Sequence, residues 1–258
     1  SLETSASSGP YKLTEFQSGK SYTLERNENW YGYNMEIFDG QYCTTKISCE
    51  TIDSWETAWL KFQAGELDDI GIDVSIATDY KGSEQAYFTP SSFIGSMQLQ
   101  SSREALEGRE EDGVNKTMLT YQDFRKALSL GFDRSEYAKT CTTSSLPGFG
   151  IFNSMHYYDV ANGKAYRNSD EAKQVLCDIY GIDVAAFPSL DDAVDSITGY
   201  DIDQARALIT SAYNEALAAG DISATDTVQL TMGFSADTEA GRRRYNFIND
   251  TWQQLMVG

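Results

Sequence analysis

At the start of the chain, apolar residues fall at alternate positions. Tyr11 and Leu13 precede a Gln17-Ser18-Gly19-Lys20 turn, and Tyr22 and Leu24, with Arg26, follow it. A period of two puts alternate side chains on one face of a strand, so the pattern predicts a β-hairpin. Ile47 and Cys49 mark a further strand. The period then lengthens. Asp53 with Glu56 three positions on has the form of a capping box, Ala58, Trp59 and Phe62 make a helical stripe, and Gly65 is the expected stop. Leu67 and Ile70 suggest a short extended piece, and Phe93, Gly95 and Met97 share one side of another predicted strand. From Ser101 to Lys116 the chain is polar, with the acidic run Glu110-Glu111-Asp112, and reads as an exposed loop.

From Thr120 the helical period dominates. Phe124, Ala127 and Leu128 form one face, and Asp133 with Glu136 restarts a helix after Gly131. Ser169 opens a helix carrying Ala172, Val175, Leu176 and Ile179. Asp201 with Gln204 opens the clearest one, with Ala205, Leu208, Ile209, Ala212, Ala216 and Leu217 in register until Gly220. Val228, Leu230, Met232 and Phe234 alternate as a strand, and Tyr245, Ile248, Trp252, Leu255 and Met256 predict a last helix. Strands and helices mix without a regular βαβ rhythm, which predicts an α+β or irregular α/β class.

Composition narrows the function classes. The 258 residues carry 20 Lys and Arg against 39 Asp and Glu, a net charge of −19. That balance opposes binding to nucleic-acid phosphates or to an anionic membrane face. With 41% apolar residues the chain has the material for a core, so it is not a disordered acidic tail. Residues 1–8 are small and polar and read as a disordered leader or an expression remnant. No apolar run has the length of a membrane span. The four cysteines form no Cys-x-x-Cys pair, and mostly buried free thiols are favoured over a Cys43–Cys49 bridge.

Catalytic signatures are weak throughout. Gly148-Phe149-Gly150 starts like a dinucleotide loop, but Asn153 stands where the third glycine belongs. Gly19-Lys20-Ser21 lacks the upstream glycine of a phosphate loop and sits in a predicted turn. His156 is the single histidine, so a multi-histidine metal site is excluded, and a surface or packed role is favoured. Asp68-Asp69 and Asp191-Asp192 read as turn residues rather than paired acid and base. Arg242-Arg243-Arg244 reads as a solvated, paired helix face. Without a nucleophile–base pair or ligand cluster, binding outranks catalysis, and no metal or organic cofactor is expected.

Four stretches in order carry a more specific signal. Ser8-Gly9-Pro10-Tyr11-Lys12-Leu13 followed by Leu24-Glu25-Arg26-Asn27-Glu28-Asn29-Trp30-Tyr31 resembles the Gly-Pro-Tyr … Leu-x-Arg-Asn-x-x-Tyr/Trp hairpin of extracellular solute-binding proteins of peptide ABC transporters. Phe62-Gln63-Ala64-Gly65-Glu66-Leu67-Asp68 resembles that family's Leu-Gln-Ala-Gly-Glu-Ile-Asp. The run from Phe124 to Arg134 resembles its Val-Arg-Lys-Ala-Leu-x-x-Ala-Ile-Asp-Arg, and Tyr200-Asp201 with Ala205 and Leu208 resembles its Tyr-Asp-x-x-Lys-Ala-x-x-Leu helix.

The resemblance implies a two-lobed, periplasmic-binding-protein-like class II fold of the larger, peptide-binding type, present here incompletely as a middle piece. Residues 9–94 would be the returning part of lobe I and residues 95–258 most of lobe II. Phe93-Ile94-Gly95-Ser96-Met97-Gln98 resembles the family's crossing strand along the cleft, which makes Phe93, Ser96 and Gln98 the candidate ligand contacts. For Ser96 and Gln98 the alternative is hydrogen bonding within the crossover itself. The implied function is capture of peptides outside the membrane and delivery to ABC permease subunits, from a periplasmic location or a lipid anchor that this chain does not carry. Competing readings are a nickel, haem or oligosaccharide cargo, a surface sensing module on the same fold, and, least favoured, a hydrolase.

Overall fold

In the computed structural model, which describes residues 6–89, 91–234 and 237–256, the opening alternation forms β1 (Tyr11–Gln17) and β2 (Ser21–Arg26), paired antiparallel with Leu13 opposite Leu24. β3 (Lys46–Glu50) pairs with the other side of β2, setting Ile47 opposite Leu24 and Cys49 opposite Tyr22. The entry to the hairpin is tied by its own motif residues. Asn27 donates through its backbone to the Pro10 carbonyl (2.7 Å) and through its side chain to the Gly9 carbonyl (3.1 Å), and the Tyr33 hydroxyl also donates to Pro10 (3.0 Å). Residues 1–5 of the expected leader lie outside the described residues. Ser7 belongs to the hairpin entry, accepting from the Gly9 amide and donating to the Tyr11 carbonyl.

Beyond β2, the Trp30 ring packs against Tyr33, Phe38 and Tyr42 with centroids 5.0–5.1 Å away. Gly32 is required beneath it, because a Cβ there would lie 2.3 Å from the Trp30 ring. The helix α1 (Trp55–Gln63) is capped by Ser54, whose hydroxyl accepts from the Thr57 amide, and not by Asp53 as the capping-box spacing suggested. Ser54 has the extended backbone that brings an N-cap oxygen onto the third helical amide. Trp55, Trp59 and Phe62 stack along α1 at 5.5 and 5.7 Å, yet no residue of this helix is buried. Leu67 and Ile70 form no strand.

The chain divides after Gly71 into two units. The second contains α2 (Val74–Tyr80), α3 (Arg103–Glu107), β4 (Val114–Asn115), α4 (Gln122–Leu130), α5 (Arg134–Cys141), β5 (Tyr157–Asp159), β6 (Lys164–Ala165), α6 (Asp170–Tyr180), α7 (Leu190–Asp195), α8 (Ile202–Ala219), β7 (Thr227–Val228) and α9 (Glu239–Met256). β4 and β7 pair in parallel, and β5 and β6 form a small hairpin. The core joins Phe124, Ala127 and Leu128 of α4 to Ala205, Ala212 and Ala216 of α8 and to Ile248, Trp252 and Leu255 of α9. The Trp252 indole donates to the Leu128 carbonyl, so the largest α9 side chain enters the core with its polar atom satisfied.

The expected caps hold in this unit. Asp133 accepts from the Ser135 and Glu136 amides, Ser169 from Ala172, and Asp201 from Gln204. Gly220 ends α8 at φ +77°, where the Asp221 amide reaches back to the Ala216 carbonyl. That left-handed closing turn favours glycine.

Other expectations fail. The stretch 101–116 is not a plain loop: it holds α3 and β4 and buries Leu106 and Asn115. Of the alternation from Val228 to Phe234 only Val228 lies in a strand, because β4 offers a two-residue partner that pairs with Thr227 and Val228. On α6 the buried residues are Ala172 and Cys177, while Val175 and Ile179 are exposed. All four thiols are free, but only Cys141 and Cys177 are buried, Cys49 being intermediate and Cys43 exposed. Many large apolar side chains are left uncovered, among them Leu60 and Tyr31 in the first unit and Tyr87, Phe93 and Ile151 in the second.

Candidate functional site

Residues 91–100 run without helix or strand, so the strand expected through Phe93, Gly95 and Met97 is absent. No described strand pairs with the segment, and without a ladder an alternating pattern does not form one. The segment is instead pinned by a side chain from another loop. Asn153 is 5% exposed, and its Nδ2 donates to the Ser92 carbonyl at 2.5 Å. Its Oδ1 accepts from the Met155 amide (2.8 Å) and bonds His156 Nδ1 (2.9 Å), which sets Nδ1 as the protonated nitrogen. His156 in turn presents its carbonyl to the Tyr166 amide (2.8 Å), and Phe152 packs edge-on against both His156 and Tyr166. A buried Asn with both ends used makes a rigid joint between strap 91–100 and loop 150–157.

On this strap Phe93, Ser96 and Gln98 are all exposed, Phe93 at 83%. Neither the Ser96 hydroxyl nor the Gln98 amide has a hydrogen-bond partner among the described residues. The sequence singled out these two positions but missed Asn153. It appeared only as the residue that spoiled a dinucleotide motif.

The other polar cluster is structural. Asp221 accepts from Arg103 (2.6 Å) and from the Tyr121 hydroxyl (2.5 Å), while Arg103 also faces Glu107. The Arg103 guanidinium, with Tyr121, holds the Asp221 carboxyl below the usual carboxylate range, and burial and then Asp221 push the Tyr121 phenol up. A carboxylate committed to two donors is poorly placed to take a proton from a substrate. Asn115, buried beside it, donates to Glu110, Thr117 and the Asp221 carbonyl. Glu110 also accepts from the Lys116 and Thr117 amides, so one residue of the acidic run holds a turn together. Asp191 pairs with Lys173 and Asp192 closes the α7 N-cap with Ser189, which accounts for that acidic pair. Arg242 and Arg243 pair with Asp237 and Glu239, as expected for a solvated face. Among the described residues no group of three or more His, Cys, Asp or Glu could hold a metal ion, and no helix is long and apolar enough to cross a membrane.

The sequence model of the bacterial extracellular solute-binding proteins, family 5 Middle, matches residues 2–258, and the chain belongs to that family. The fold is accordingly of the periplasmic-binding-protein-like class II type. Among solved structures, the chain is similar to the substrate-binding domain of an oligopeptide ABC transporter from Bacillus anthracis (TM-score 0.58, 16% identity, 97% of this chain and 39% of that one). It is also similar to a periplasmic oligopeptide-binding protein from Borrelia burgdorferi (TM-score 0.55, 18% identity, 99% and 40%). The chain thus spans about two fifths of the length of these structures. No curated protein matches.

Proposed function

We propose that this chain is the middle part of a substrate-capture protein that binds peptides outside the membrane and hands them to the permease of an ABC importer. The family match along residues 2–258 carries this reading. In it, residues 9–94, which take in most of the first unit and the start of the second, contribute the returning part of lobe I, and residues 95–258 contribute most of lobe II. Phe93, Ser96 and Gln98 lie on the strap that crosses between lobes and face the ligand. Support comes from the two unused polar side chains, which match what an extended peptide backbone needs. Further support comes from the uncovered apolar surface, which a larger protein would bury. The protein acts without a cofactor and without chemistry of its own, from the periplasm or a lipid anchor on the outer face of the membrane.

The test is thermal denaturation of the 258-residue chain with 10 mM trialanine, maltotriose or nickel–histidine. Stabilisation by trialanine alone is expected, and it should be weak because one wall of the cleft is missing. Stabilisation by the sugar or by nickel–histidine, with none by the peptide, would overturn the peptide assignment.

A further inference from the structure

The two segments joined by Asn153 share a property that the rest of the chain lacks. From Gln85 to Ser102, and again from Thr140 to Tyr158, there is no Asp, Glu, Lys or Arg, in a chain that is 23% charged. Both segments keep apolar side chains in solvent. Close to the tie stand Phe93 and Ile94 on the strap and Ile151, Phe152 and Met155 on the loop, all exposed, with Ile151 at 83%. Exposed apolar side chains on two tied segments that carry no charge mark a contact site rather than a solvated face. The buried Asn153 fixes the two segments to each other, so the surface is assembled before any ligand arrives.

We propose that this surface selects the side chains of the captured peptide, taking uncharged, apolar ones and rejecting charged ones. The inference rests on the peptide-capture reading above and adds a substrate class to it. A charged side chain laid here would lose water and meet no opposite charge on either segment, which is costly. An aromatic or aliphatic side chain would bury its area against Phe93 and Ile151. Ser96 and Gln98 are uncharged as well, so they can bond a peptide backbone without favouring a side-chain charge. A second copy of this chain is the rival occupant.

Met97 and Met155 report on the two segments, and the buried Met118 reports on the core. The test is a methyl-NMR titration of the full 258-residue chain, labelled at methionine, with Ala-Phe-Ala, Ala-Asp-Ala and Ala-Lys-Ala bearing the same free termini. The Met97 and Met155 signals should move with Ala-Phe-Ala at a midpoint about tenfold or more below those of the other two, a difference of about 1.4 kcal/mol or more. Phe93→Ser combined with Ile151→Ser should erase the preference while the Met118 signal stays in place. Equal midpoints at Met97 and Met155 would overturn the selectivity and leave peptide capture standing. Movement of these signals on changing protein concentration alone would overturn it in favour of self-association. So would no movement with any peptide at 20 mM. Failure of capture itself would show separately, as stabilisation by the sugar or nickel–histidine in the thermal assay.

Discussion

The two units differ in how far each closes its own core. In the second, α4, α8 and α9 enclose Phe124, Leu128, Trp252 and Leu255, and three α8 alanines let the helices approach. In the first, three strands and a helix bury little beyond Thr23, Trp30 and Gly32, and α1 leaves a stacked row of Trp55, Trp59 and Phe62 without a buried member. Burial of apolar area supplies most of the free energy that opposes chain entropy. The first unit is therefore the weaker of the two.

The largest expected effect separates the units by mutation. Phe124→Ala should cost the second unit about 3–5 kcal/mol in denaturant unfolding. Trp30→Ala should weaken the aromatic near-UV signal of the first unit and leave the second unit's transition in place. If Trp30→Ala moved that transition, the units would be unfolding as one. Next, Ala212→Leu should cost about 1–3 kcal/mol, because α4 and α8 leave no room for a larger side chain. A neutral result would place a void in the α8 interface. Within the first unit, Ser54→Ala should cost about 1 kcal/mol, and Asp53→Ala much less. The reverse order would restore Asp53 as the cap of α1.

The smallest effect concerns pH. The Asp221 carboxyl is lowered in the folded state, so its contribution to stability is complete above the ordinary carboxylate value and fades as pH falls through the lowered one. Asp221→Asn should lower the melting temperature near neutral pH and flatten its fall on the acid side. An unchanged acid limb would mean that the Arg103 and Tyr121 contacts do not stabilise the second unit.

Local signals carried most of the fold. The turn at Gly19, the caps at Asp133, Ser169 and Asp201 and the closing turn at Gly220 depend on neighbours within a few residues, and each was legible. What failed depends on distant partners. On α6, Val175 and Ile179 follow the helical period of Ala172 yet are exposed, because no neighbouring element covers them. The strands expected at Phe93–Met97 and Val228–Phe234 needed a partner strand that the alternation cannot reveal. For the candidate site, the strap was visible through its family resemblance. The Asn153 tie spans 61 residues of sequence and had no local signature.

The measurement that tests the contrast between the units most directly is native-state hydrogen exchange on this chain, read amide by amide. Amides in the middle of α4, α8 and α9 should exchange only by global opening of the second unit, and those of β1, β2 and β3 at least about a thousandfold faster. Equal protection in the strands and the helices would show that the first unit is closed and stable by itself, contradicting the account of it as the less closed of the two.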